Sequence, residues 1–290
     1  MLHRLAFSTN AFKQTDVHSA VRAIAAIGYR GVEIMADAPH MLPHAWSDEQ
    51  TRELAKLITG LGLAVSNVNA FTGFGLSLPG AGGNTYHPTW VDPSPARRQQ
   101  RIDHTRRALE LAAILGSPAV SIQPGGPYVN RDINELHGLF AQSIAACLDT
   151  ARSVNVRIAV EPEPGLLIER ADQFDLFKHT YFADEPLVMM NCDTGHHFCV
   201  REDPAEVIRR YADVITHVHL EDISAERVHQ HLVPGDGAMD FPAIFKALDD
   251  IHYFRGPGFV TVELYPYTST AEQVARRAYD HLKKLIEGGP

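Results

Sequence analysis

Cysteine is scarce in this 290-residue chain: Cys147, Cys192 and Cys199 are all it has. Three thiols at irregular spacing form neither a disulfide framework nor a thiolate zinc site, and they fit a reducing cytoplasm. Positive charge is also short. Lys and Arg number 26 against 35 Asp and Glu, a formal net charge of −9. A nucleic-acid backbone is therefore not an expected partner, because its grip depends on basic side chains displacing counterions. No apolar run approaches the ~20 residues of a membrane span, and none is expected. The stretch from Met1 to Ser8 lacks the apolar core of a signal peptide.

What remains is an ordinary globular balance, 45% hydrophobic and 21% charged, with a surplus of 16 histidines. Short apolar runs of β character alternate with longer stretches of helical spacing. The strands fall at Leu5–Ser8, Gly31–Met35, Leu63–Val68, Ala119–Ile122, Arg157–Val160, Leu187–Asn191, Ile215–His219 and Phe259–Glu263. Helices separate them, including Asp16–Ile27, Ala96–Leu115, Asp132–Ser153 and a closing Thr270–Ile286. Ser47 with Gln50 three residues on marks a capped helix start. The segment from Asn69 to Pro95, rich in Gly, Pro and aromatics, breaks the rhythm as an enlarged loop after the third strand.

Eight strand–helix units imply parallel strands with helical crossovers, and so a single (β/α)₈ TIM barrel over residues 1–290. The open doubly wound sheet is the rival. It usually carries a glycine-rich first turn, whereas this chain has Ser8-Thr9-Asn10-Ala11-Phe12 there. In a barrel the chemistry sits at the C-terminal ends of the strands. The fifth to eighth strands deliver Glu161, Asp193, His219 and Glu263 to that rim. Three carboxylates and an imidazole converging there call for a cation, since like charges a few ångströms apart disfavour ionisation. Such a ligand set suits one divalent ion, and Mn²⁺, Mg²⁺, Co²⁺ and Zn²⁺ stay open.

The stretches Glu161-Pro162, Asp193-Thr194-Gly195-His196, His217-Val218-His219-Leu220-Glu221-Asp222, Pro234-Gly235-Asp236-Gly237 and Val262-Glu263 carry a resemblance along essentially the whole chain. The sequence resembles the sugar isomerase/epimerase superfamily of xylose isomerase-like barrels. That superfamily includes ketose 3-epimerases, inosose dehydratase and endonuclease IV. The resemblance implies that Glu161, Asp193, His219 and Glu263 bind one catalytic metal, and that Glu161 and Glu263 serve as acid and base on opposite substrate faces. It also implies a substrate-polarising role for His196. A second metal at His196, His229 and His231 is left open, and otherwise His231 contacts substrate.

The expected activity is metal-dependent isomerisation or epimerisation of a small sugar or cyclitol by proton abstraction next to a carbonyl. The alternative is a dehydratase or lyase of the inosose dehydratase or carbon-glycoside cleaving type. An endonuclease-like zinc phosphodiesterase is disfavoured, because Asn67, Asn69 and Gln123 stand where that branch needs histidines. A non-catalytic metabolite-binding barrel is the remaining rival. Asn69 and Gln123 are read as partners for sugar hydroxyls, with Glu163, and with His87 from the segment Tyr86-His87-Pro88-Thr89-Trp90. Assembly into a homo-oligomer is left open.

Overall fold

The computed structural model describes residues 1–76, 87–126 and 130–288. Eight parallel strands close into a barrel in sequential order. They are β1 (Leu5–Ser8), β2 (Gly31–Met35), β3 (Ala64–Asn69), β4 (Ala119–Ile122), β5 (Arg157–Val160), β6 (Val188–Asp193), β7 (Ile215–Leu220) and β8 (Val260–Val262). Around them lie α1 (Val17–Ile27), α2 (Asp48–Gly60), α3 (Pro95–Leu115), α4 (Ile133–Val154) and α5 (Ala171–Tyr181). The outer layer continues with α6 (Thr194–Cys199), α7 (Pro204–Arg210), α8 (Phe241–Asp250) and α9 (Ala271–Gly288). The strands are short and almost wholly buried, as a helix-covered parallel sheet requires. None of the described helices is long and apolar enough to cross a membrane.

The strand–helix rhythm is as the sequence predicts, with one addition. Between β6 and β7 the chain inserts two helices where the rhythm predicts one. The extra element is α6, too short for hydrophobic periodicity to reveal it. Its start is chemical: Asp193 Oδ1 accepts from the His196 backbone N–H at 2.9 Å. β8 is shorter than expected, but the Glu263 N–H still donates to Leu220 O at 3.1 Å, which keeps Glu263 in register beside β7. The Ser47–Gln50 capping box of α2 is present in full.

Both ends of the enlarged connection between β3 and α3 are tied to the barrel by one buried guanidinium. Arg101 donates to Ala70 O, Thr72 O and Pro88 O at 2.8–3.1 Å. Asp37 accepts from Thr72 Oγ1 and the Gly75 N–H. Residues 77–86, Tyr86 among them, lie outside the described residues, as does Pro127 after β4.

Candidate metal centre and active site

Side chains on a strand alternate between its faces. In this barrel that sends Asn67 and Asn69 of β3, Asn191 and Asp193 of β6, and His217 and His219 of β7 inward in layers. Register locks the layers together: Asn191 pairs with His217, and Asp193 with His219. Glu161 and Glu263 each follow the last residue of their strand. One ligand atom from each of Glu161, Asp193, His219 and Glu263 lies within 4.8 Å of the others, all four residues being buried. The structure thus brings together all four residues assigned to the metal.

Their bonding suits a cation. Asp193 spends Oδ1 on the α6 cap, and its buried Oδ2 makes no hydrogen bond. Oδ2 lies 3.7 Å from His219 Nδ1, and Glu263 Oε2 lies 3.8 Å from the same nitrogen. His219 Nδ1 donates to Glu161 Oε1 at 2.7 Å. A divalent ion would displace that proton and take Nδ1 as its nitrogen ligand, with the three carboxylates around it. Gly195 is required at the start of α6, where a Cβ would collide with the Glu221 carboxyl.

Beneath the quartet lies a residue that sequence reasoning missed. Glu33, in the middle of β2, is wholly buried and accepts from His219 Nε2 at 2.7 Å. It also accepts from Asn67 Nδ2 at 2.8 Å and Asn69 Nδ2 at 3.3 Å, with His217 Nε2 at 3.3 Å. A carboxylate on the far nitrogen of a metal-binding imidazole fixes its tautomer and raises its basicity. The signal was present: a lone acid inside the apolar run Gly31–Met35 has no reason to be there unless it is partnered.

An open cavity above the quartet is lined by Asn69, Glu161, Glu163, His196, His231 and Glu263, among others. Most of the residues assigned to substrate therefore face it, with His229. Two do not. Gln123 is buried at the end of β4, away from the wall, and His87 turns toward Asp92, its Nδ1 3.8 Å from Oδ2. The loop's aromatics divide among the described residues: Phe71 lines the cavity, as does Tyr265 beyond β8, whereas Trp90 is fully buried and packs on Phe140. Glu163 lies 3.2 Å from His196 Nδ1.

His196, His229 and His231 form a second group with nitrogens within 4.8 Å of one another. His196 Nδ1 donates to Pro162 O at 3.0 Å and His231 Nδ1 to Glu263 O at 2.9 Å. Both therefore keep Nε2 as an acceptor. The loop that carries His229 and His231 is built by Asp222. Its carboxylate accepts from the N–H groups of Gly235, Gly237 and Met239, and its backbone pairs with Leu232. The Pro234-Gly235-Asp236-Gly237 motif is thus a scaffold, with Gly235 at φ 100° and no room for a Cβ at Gly237.

Electrostatics divides the site in two. Burial, reinforced by neighbouring carboxylates, pushes Glu163, Glu221 and Glu263 well above the ordinary range. Burial also raises Glu161, to about 7, against the pull of His219. Burial lowers His196 and His229, and takes His231 down to about 4. For His219 burial works the same way, but Glu33, Glu161 and Glu263 outweigh it and raise the imidazole. For Asp193 burial raises, while His196, His231 and Glu221 pull the carboxyl down.

A pH profile follows. The raised carboxyls stabilise the fold fully below about 4.5, and that contribution is lost as pH rises through their folded values. For Glu161 alone, a rise from 4.5 to about 7 is worth roughly 3 kcal/mol. The lowered imidazoles act in the opposite sense, adding stability up to their unfolded value near 6.5 and nothing above it. Above pH 6.5, where the imidazole gain has ended, metal-free protein should therefore lose stability toward pH 8.5. Saturating divalent metal should abolish the alkaline loss. Melting curves with chelator and with metal, from pH 5 to 8.5, check this, and parallel curves would contradict it.

A family model described as xylose isomerase-like TIM barrel matches residues 21–285. An inosose dehydratase of Clostridium beijerinckii is 31% identical over 188 residues, 59% of this chain and 61% of its own. One from Clostridium perfringens is 30% identical over 150 residues, 46% of this chain and 50% of its own. The chain thus spans half to three fifths of these curated relatives. Among solved structures, a D-tagatose 3-epimerase-like protein superposes with TM-score 0.76 at 19% identity, covering 98% of this chain and 99% of that one. The IolI protein with a bound zinc atom gives TM-score 0.76 at 18% identity over 98% of both. With the closed barrel and the rim quartet in place, the match over residues 21–285 settles the family: the chain belongs to the xylose isomerase-like TIM barrels.

Proposed function

We propose that this protein is a divalent-metal-dependent enzyme that removes a proton from the carbon beside a carbonyl in a small polyhydroxylated substrate, a sugar or cyclitol. The observation that carries this reading is the placing of Glu161 and Glu263 at once in the metal-capable quartet and on the cavity wall. A divalent ion held by the quartet would act as a Lewis acid on the substrate carbonyl and stabilise charge developing on its oxygen. The chain's own residues supply the rest. Asn10 Nδ2 and Asn69 Nδ2 donate to Glu263 Oε1 at 2.7 and 3.1 Å, fixing its carboxylate toward the cavity as the base. Glu161 is the partner acid that returns a proton from the other side. The Nε2 acceptor of His231 faces substrate hydroxyls. Reprotonation at the same or the adjacent carbon makes the enzyme an epimerase or isomerase.

A second reading keeps the first step and ends in loss of water. It is supported by the inosose dehydratases among the relatives. Both readings take a small molecule as partner, and the scarcity of cysteine supports a cytoplasmic setting.

The test is deuterium exchange. A panel of ketoses and keto-cyclitols, an inosose included, is incubated with Mn²⁺-loaded protein in deuterium oxide and followed by NMR. Exchange at the carbon α to the carbonyl is expected for at least one member, with one metal ion bound per chain. No exchange with any member despite bound metal would remove both readings. Two ions per chain would place the second at His196, His229 and His231.

A further inference from the structure

The cavity wall contains one group that neither the metal quartet nor the acid–base pair uses. Lys13 lies in the connection after β1 and lines the cavity beside Glu263. It is the sole lysine or arginine among the described lining residues. Its Nζ sits 5.8 Å from the Tyr265 ring centroid, held by a cation–π contact. Tyr265 is two residues beyond Glu263, so the ammonium belongs to the Glu263 side of the cavity. Glu263 and Asp37 are the acidic groups whose charge reaches it. Neither is within ion-pair distance, and among the described residues the ammonium makes no hydrogen bond.

Most of the other donors on the wall are committed. Asn10 and Asn69 hold Glu263, Thr72 Oγ1 donates to Asp37, and His196 and His231 donate to backbone carbonyls. Lys13 is the wall's cationic donor with its N–H groups still to spend. Epimerisation has its second proton-transfer group in Glu161 and does not require this donor. It has a definite use in elimination, because hydroxide leaves poorly unless it is protonated as the C–O bond breaks.

Resting on the proton-abstraction reading above, we propose that Lys13 is the general acid of a dehydration: its ammonium protonates the hydroxyl that departs from the carbon β to the substrate carbonyl. Glu263 takes the proton from the α-carbon, and the C–H electron pair passes into the enolate. The carbonyl then re-forms, a double bond forms between the α- and β-carbons, and the β-carbon–oxygen bond breaks. The oxygen leaves with its electron pair, takes one proton from Lys13 Nζ and departs as water. The proton held by Glu263 and the one missing from Lys13 balance, so exchange with solvent restores both groups without any redox partner.

The test separates the two steps in metal-loaded protein. Lys13→Met keeps the aliphatic stem on Tyr265 and removes the ammonium. In wild type, α-deuterium exchange and water loss are both expected. In Lys13→Met, exchange should stay within about threefold of wild type while water loss falls about 100-fold or more. A substrate analogue with fluoride at the β-carbon, which leaves without a proton, should restore elimination by Lys13→Met. Parallel loss of exchange and elimination, or no rescue by the fluoro analogue, would overturn the assignment and leave Lys13 a binding residue. Exchange in wild type with an epimer as sole product would overturn it too, with the proton-abstraction reading intact. Absence of exchange in wild type would remove both.

Discussion

Replacing Glu263 by glutamine should lower α-deuterium exchange by about 10³-fold or more, within the 10²–10⁴-fold range typical of a positioned base. Glu263 is the better placed of the two glutamates to take the first proton. It keeps 7% exposure on the cavity wall against 2% for Glu161, whose Oε1 is engaged by His219. Its own Oε1 is held by Asn10 and Asn69, and Oε2 is left without a hydrogen bond at 3.6 Å from His231 Nδ1. Glutamine preserves the volume and an oxygen for the two asparagines, so the fold should survive with an unchanged circular dichroism spectrum. The substitution also alters one of the four groups proposed to hold the metal, and the rate must therefore be measured at saturating metal with metal content determined. A deficit that persists in fully loaded protein assigns Glu263 to proton transfer. Wild-type exchange in that variant would refute the role.

The barrel was legible in the sequence because its signals are local. Short apolar runs, a capping box at Ser47 and helical spacing in α1 and α9 each report on neighbouring residues, and eight repeats leave few topologies. The quartet was legible for a related reason: each member sits at a strand end, and the barrel rule sends all strand ends to one rim. Residues one layer down were not. Glu33 and His217 lie inside strands, where sequence shows a polar residue but not its partner 186 positions away. Loop residues failed in the other direction. His87 and Trp90 look like cavity walls by type, yet Trp90 is consumed by packing on Phe140 and His87 faces Asp92. Lys13 was invisible because only the fold sets its ammonium on the cavity wall against Tyr265, 252 positions away in the chain. The Asp222 loop shows the limit from another side: the motif was conspicuous, but its role is to hold His229 and His231 in place.

Glu33 carries the second large effect. Substituting it by glutamine should weaken divalent-metal affinity about 10- to 100-fold, the usual cost of disturbing a hydrogen-bond partner of a ligand imidazole. Glu33 accepts from His219 Nε2, Asn67 Nδ2 and Asn69 Nδ2, with His217 Nε2 3.3 Å away. A carboxylate offers two acceptor oxygens to that ring of donors, whereas an amide presents an NH₂ to at least one of them. The His219 imidazole then loses the negative charge that makes Nδ1 a strong ligand. Burial alone would raise Glu33, yet His219 and His217 hold it well below the ordinary range, so it stays ionised through the pH range of metal binding. Chelator-competition titration gives the affinity directly, and exchange at excess metal shows whether the loss is one of binding. Recovery with excess metal is the expected result, since Glu33 touches neither the cavity nor the reacting carbon. Unchanged affinity in Glu33→Gln would strip the residue of this role. Glu33→Ala is the harsher case: it leaves His219 buried without its counter-charge, which should cost about 3–5 kcal/mol of stability on top of the metal.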